Sequence, residues 1–156
     1  MKLKQTSMYY YDFQVVLQEV PGEISLCFSI CGCQLKCKGC HSSHLWKESN
    51  GKILLLNNYL EILNKYRNYA TCVLFMGGEW HEDELIEMLQ MARHKKYKTC
   101  LYTGEESISK NLMEQLSFLK TGKWNPELGG LDSPTTNQKF IDIQLKKNLN
   151  YLFSKN

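Results

Sequence analysis

Cys31-Gly32-Cys33-Gln34-Leu35-Lys36-Cys37-Lys38-Gly39-Cys40-His41-Ser42-Ser43-His44-Leu45-Trp46 is the stretch around which the chain can be read. It holds four of the seven cysteines. Cys33, Cys37 and Cys40 follow the spacing C-x-x-x-C-x-x-C, which lets one compact loop turn three thiolates toward a common point. A cubane 4Fe–4S cluster normally takes four cysteines. Three would hold three irons and leave the fourth open to a small molecule. A zinc site is the competing reading, with His41 or His44 as fourth ligand, and a disulfide framework is the other. The spacing favours the cluster over both. Cys27 and Cys31 are also three residues apart, but Gln34 stands where a further cysteine would be needed. Cys31 is therefore left as a non-ligand. Cys27, inside the apolar run Ile24–Ile30, is expected to be a small buried hydrophobe.

Outward from this loop, the chain alternates strand and helix signals. Residues 1–8 are expected to be a loose end. Tyr9–Tyr11 and Phe13–Leu17 suggest a strand or ribbon, and Pro21-Gly22-Glu23 a turn. Residues 24–30 form a buried strand that stops at the cysteine loop, and Ser49-Asn50-Gly51 is another turn. Leu56, Tyr59, Leu60 and Leu63 predict an amphipathic helix over 55–67. Thr71–Met76 is a central strand ending at Gly77-Gly78-Glu79-Trp80. Leu85, Met88, Leu89 and Ala92 mark the next helix. Glu82, Asp83 and Glu84 at its start, and Arg93, His94, Lys95 and Lys96 at its end, suit the helix dipole better than a nucleic-acid patch. Residues 98–102 predict a third strand ending at Thr103-Gly104. Ile108, Leu112, Leu116 and Leu119 predict a third helix, and Phe140–Ile143 a last strand. Residues 121–138 are rich in loop formers, and a loop this long in a compact domain is often functional.

This order predicts an α/β fold with a mostly parallel sheet and right-handed crossovers. A complete eight-unit barrel needs about 250 residues. The chain has 156, so a shortened, open partial (βα) barrel is expected, as a single domain over 1–156. In such folds ligands gather at the C-terminal ends of the strands. The cysteine loop, Gly77-Gly78-Glu79 and Tyr102-Thr103-Gly104 all fall on that edge. Gly77 and Gly78 would let a ligand approach the backbone, and Glu79 would accept from an ammonium group.

Composition sets the broad class. Apolar residues make up 43% and charged residues 22% of the chain, ordinary for a globular protein. A net charge of +3 is too small to argue for nucleic acid. No apolar run approaches the roughly 18 residues of a membrane span, so neither nucleic acid nor membrane is expected as a partner. The N-terminus has no signal-peptide pattern, and the free cysteines point to a reducing cytoplasm.

Cys33–Cys40 resembles the cluster motif of the radical S-adenosylmethionine (SAM) superfamily. The wider run Gly32-Cys33…Cys37-Lys38-Gly39-Cys40-His41…Leu45-Trp46 resembles the activating proteins of anaerobic ribonucleoside-triphosphate reductase. So do Leu119–Trp124, Leu128–Leu131 and Ser133–Gln138, and the likeness runs over about residues 13–143. Gly77-Gly78-Glu79 is similar to the superfamily's motif for the methionine amino group of SAM, with Trp80 in place of the usual Pro. Gly39 stands where many members have an aromatic residue, and His41 is the candidate to cover the adenine or the cluster.

The resemblance implies a radical SAM oxidoreductase. Cys33, Cys37 and Cys40 would be its cluster ligands. Gly39, Cys40, His41, Gly77, Gly78, Glu79 and Thr103 would line the SAM site. The expected partners are the large subunit of an anaerobic (class III) reductase, on which a glycyl radical forms, and a flavodoxin or ferredoxin as electron donor. Activation of another glycyl-radical enzyme, radical chemistry on a small molecule, and a non-catalytic zinc- or iron-binding module are the alternatives.

Overall fold

The computed structural model describes residues 6–35, 37, 40 and 43–154. Eight strands form one sheet: β1 (Tyr9–Leu17), β2 (Ile24–Ile30), β3 (Lys52–Ile53), β4 (Cys72–Met76), β5 (Lys98–Tyr102), β6 (Phe118–Thr121), β7 (Lys139–Asp142) and β8 (Lys147–Asn148). Their order across the sheet is β3-β1-β2-β4-β5-β6-β7-β8. The central four, β2, β4, β5 and β6, are parallel. The flanks are antiparallel on both sides. The expectation of a mostly parallel sheet therefore holds for the centre only. The sheet is open, with short two-residue strands at both edges.

Period-2 alternation sends successive side chains to opposite faces. One face carries Leu26, Phe28, Val73, Phe75, Leu101 and Leu119, packed under the helices α1 (Leu56–Lys65), α2 (Glu82–His94) and α3 (Lys110–Met113). Phe28 stacks on Phe75 with ring centroids 5.4 Å apart. Each fully buried large apolar side chain there contributes about 1.5–3 kcal/mol. Two buried tyrosines tie helix to helix and helix to strand entry. The Tyr59 hydroxyl donates to the Met88 carbonyl at 2.7 Å, and that of Tyr97 to Leu63 at 2.6 Å. The other face carries Cys27, Cys72, Leu74, Cys100 and Tyr102. It is covered by Val20, Phe140 and the C-terminal residues Leu149 and Phe153.

Helix α2 begins with Glu82, Asp83 and Glu84 and ends with Arg93 and His94. Arg93 is used structurally: its Nη1 donates to the Glu114 carbonyl and to Gln115 Oε1. No helix among the described residues is long and apolar enough to cross a membrane.

Two expectations are corrected. The end of the 1–8 segment is packed: Met8 is fully buried, Leu54 N donates to its carbonyl, and Thr6 Oγ1 donates to the Leu54 carbonyl at 2.5 Å. Residues 1–5 lie outside the described residues. The predicted third helix is only the single turn α3, capped by Ser109 Oγ accepting from Leu112 N at 3.1 Å. Phe118–Thr121 is strand instead, paired with β5 and β7. A strand lets Phe118 and Leu119 fill both cores at once, which a helix on one face could not do.

Candidate functional site

The parallel strands end on one edge, and the segments leaving them are stitched side by side. Gly77 N donates to the Tyr102 carbonyl, Thr103 N to that of Lys120, and Gly122 N to that of Glu105, each at 2.9 Å. The cysteine loop is closed at its base, where Gly32 N and Cys33 N both donate to the Leu45 carbonyl, at 2.7 and 3.2 Å. Cys31 N is anchored to the Tyr9 carbonyl at 2.8 Å. These contacts fix where the loop leaves the sheet.

Between these segments lies an open cavity of about 270 Å³. Cys33, Cys37 and Cys40 line it, together with Gly77, Glu79 and Thr103. The three thiols are half-buried. They share the cavity without converging: among the described residues no three Cys, His, Asp or Glu side chains are placed to hold a metal ion. As a donor set they suit an iron–sulfur cluster, because soft thiolates bind iron–sulfur centres and these three face one space. A turn bond from Cys40 N to the Cys37 carbonyl, 3.1 Å, holds two of them in one turn of chain.

The other cysteines are different. Cys31, Cys72 and Cys100 are fully buried and Cys27 nearly so. Burial pushes the Cys27 and Cys72 thiols up to about 12 and raises that of Cys100 well above its ordinary value. Cys31 is raised by burial too, then by Glu48 and Asp12. All four therefore stay protonated at neutral pH, and the thiolate is the form that binds metal.

Glu79 is the distinctive acid of the site. Thr103 Oγ1 donates to its Oε1 at 2.6 Å and accepts from Glu105 N at 3.0 Å. Glu79 Oε2 is buried with no hydrogen-bond partner among the described residues. Burial raises its pKa, the Thr103 hydroxyl and its own backbone offset part of that, and Glu105 adds to it. A half-buried carboxylate with one unsatisfied oxygen beside a cavity is a receptor for a cationic donor.

Gly78 does not line the cavity. Its missing Cβ would face Met8 and Ile30, at 3.4 and 3.5 Å. Gly39 and His41 lie outside the described residues. The structure also brings in residues that sequence reasoning missed. Lys120, at the end of β6, lines the cavity with its Nζ 4.8 Å from the Tyr102 ring centroid. Burial lowers its pKa, against the opposing pull of Glu19 and Cys100. The signal was present, a lysine at a strand's C-terminal end, but the helix reading of this segment hid it. All three tryptophans of the chain, Trp46, Trp80 and Trp124, line the same cavity. Asn137 and Gln138 gain a structural role: they donate to the Lys123 and Gly122 carbonyls, at 3.1 and 3.2 Å, and close the loop that leaves β6.

Among curated proteins none matches the chain. The family model described as "4Fe-4S single cluster domain" matches residues 21–139, a span that holds the cysteine loop, the Gly-Gly-Glu turn and the strand ends around the cavity. With most of its length matched, and three thiols of the right kind on one cavity, the chain belongs to the 4Fe-4S single cluster domain family.

Proposed function

We propose that this chain is a radical SAM oxidoreductase that activates an anaerobic ribonucleoside-triphosphate reductase. One observation carries the reading: three half-buried thiols and a half-buried carboxylate, one of whose oxygens has no hydrogen-bond partner among the described residues, line one cavity at the C-terminal edge of the parallel strands. Cys33, Cys37 and Cys40 would hold a 4Fe–4S cluster, which when bound would supply one-electron reduction of SAM and so the radical that removes hydrogen from a protein glycine.

The chain's own residues bind, orient and shield. Glu79 accepts from the methionine ammonium through Oε2, while Thr103 fixes its other oxygen. Gly77 lines the same cavity, and the space left by its missing Cβ is taken by the Trp80 ring. His41 and Gly39 belong to the same site by resemblance. The open sheet, a partial barrel, leaves a side through which a glycine-bearing loop of the reductase's large subunit enters, and residues 121–138 form part of its docking surface. A flavodoxin or ferredoxin delivers the electron, and the protein acts in the cytoplasm as a single domain.

The test is direct. The protein is reconstituted with iron and sulfide without oxygen, reduced, and mixed with SAM and a matched reductase carrying deuterium on the receiving glycine α-carbon. Deuterium in 5′-deoxyadenosine, with a doublet radical spectrum on the reductase, is the expected result. SAM cleavage without that transfer overturns the activase reading and leaves the radical SAM one. A colourless, zinc-loaded protein overturns both.

A further inference from the structure

We infer that Trp80 is a positioning residue: its indole is the spacer that sets the cysteine loop against the Gly-Gly-Glu turn. The inference rests on the assignment of Cys33 and Glu79 to one ligand site. The indole reaches two glycines with opposite ends of its ring system. A Cβ on Gly32 would lie 2.9 Å from Trp80 Nε1, and one on Gly77 would lie 2.7 Å from Cη2 and 3.3 Å from Cζ3. Both glycines have positive φ, +106° and +85°, so the backbone at each end of the slot bends in a way that side chains resist.

Gly32 immediately precedes Cys33, and Gly77 is two residues before Glu79. The ring's length therefore fixes the separation between the first thiol and the carboxylate. No hydrogen bond holds the indole, since Nε1 is buried without an acceptor among the described residues. Its place is set by shape. A second, weaker tie runs parallel: His81 Nε2 meets Glu48 Oε1 at 2.8 Å, joining the residue after Trp80 to the segment that follows the cysteine loop. Both groups are partly exposed, and exposed pairs contribute little. The indole is the main link.

The test uses the full chain with Trp80→Ala and Trp80→Phe. The phenyl ring fills the part of the slot nearest Cβ, on the Gly32 side, and is too short to reach Gly77, which meets the distal Cη2 and Cζ3. Amide hydrogen exchange is measured on iron-free protein. The Gly77 amide should exchange at least about tenfold faster in both variants and the Gly32 and Cys33 amides in Trp80→Ala, with β4 and β5 amides within about twofold of wild type. After reconstitution, both variants should need at least about tenfold more SAM to shift the reduced cluster's paramagnetic resonance signal. Trp80→Phe indistinguishable from wild type would make the indole a simple filler and overturn the spacer. So would unchanged Gly77 exchange in the variants, or a uniform rise across the sheet. If Trp80→Ala does not fold, Trp80→Phe decides alone. If wild-type protein takes up no iron or ignores SAM, the proposed function fails, and the exchange result still judges the spacer.

Discussion

The sheet holds three cysteines and the loop at its edge three more beyond Cys31, and the same side chain has opposite prospects in the two places. Cys27, Cys72 and Cys100 face one packed surface of the sheet, 4%, 0% and 0% exposed. Burial raises all three thiols, and a neutral thiol in an apolar setting behaves as a small hydrophobe. Cys33, Cys37 and Cys40 stand half-buried around an open cavity. Residue type alone does not separate these groups. Strand position does: a cysteine inside a parallel strand is walled in by neighbours, whereas one beyond the strand's end reaches the edge where ligands collect.

The largest effect that would break this contrast is loss of the iron. Cys37→Ser should remove most iron from reconstituted protein while leaving the melting temperature of the iron-free chain nearly unchanged. Cys100→Ser should do the reverse. Its iron content stays close to wild type, and the buried hydroxyl costs about 1–3 kcal/mol, or about 2–4 °C per kcal/mol for a domain of this size. Iron assay and thermal melts on the two variants check both halves. An iron-free Cys100→Ser beside an iron-loaded Cys37→Ser would invert the assignment.

Thiol chemistry sharpens the contrast next. A thiol pushed up to about 12, as for Cys27 and Cys72, is about one part in ten thousand thiolate at pH 8. Iodoacetamide should therefore modify Cys33, Cys37 and Cys40 of the native iron-free chain first. The sheet thiols should react at least a hundredfold more slowly until the chain is unfolded. Peptide mapping by mass spectrometry reads the order, and a sheet cysteine labelled as fast as Cys37 would contradict the burial argument.

The legible parts of the molecule were those written locally. β2, β4 and β5 are short apolar runs closed by turn residues, and α1 and α2 repeat their apolar residues at helical spacing, so each declared itself. The convergence of Cys33, Glu79 and Thr103 followed from one general rule about parallel strands. What escaped depends on distant partners. Met8 is buried because Leu54, far along the chain, hydrogen-bonds to it. Leu112, Leu116 and Leu119 fit a helix by spacing. Leu119 also fits a strand, and the pairing of Phe118 with Cys100 and Asp142 decides the matter. With β6 misread, Lys120 could not be placed at the cavity. The meeting of Trp80 with Gly32 and Gly77 is likewise tertiary: a Trp where Pro is usual was visible, its slot was not.

The smallest effect concerns Glu79, a half-buried acid of the cavity, where burial acts with a different outcome. A raised thiol is neutral at pH 8 and carries no penalty. A raised carboxylate carries the penalty once it ionises, because the charge is what burial opposes. Because the folded Glu79 pKa lies above its ordinary value, the folded chain holds this proton more tightly than the unfolded chain does. Stability from this group is therefore present at low pH and is lost as pH rises through the raised pKa. Glu79→Gln removes the charge and can still accept from Thr103 through its amide oxygen. The iron-free variant should melt about 2–4 °C above wild type at pH 8, a gain of about 1 kcal/mol. The gap should close as pH falls below the ordinary carboxylate range, where Glu79 is protonated in both states. Melts of both proteins across pH 3–8 read this directly. A variant less stable than wild type at pH 8 would mean that Oε2 is already satisfied in the folded chain, and Glu79 would lose its claim to a cationic ligand.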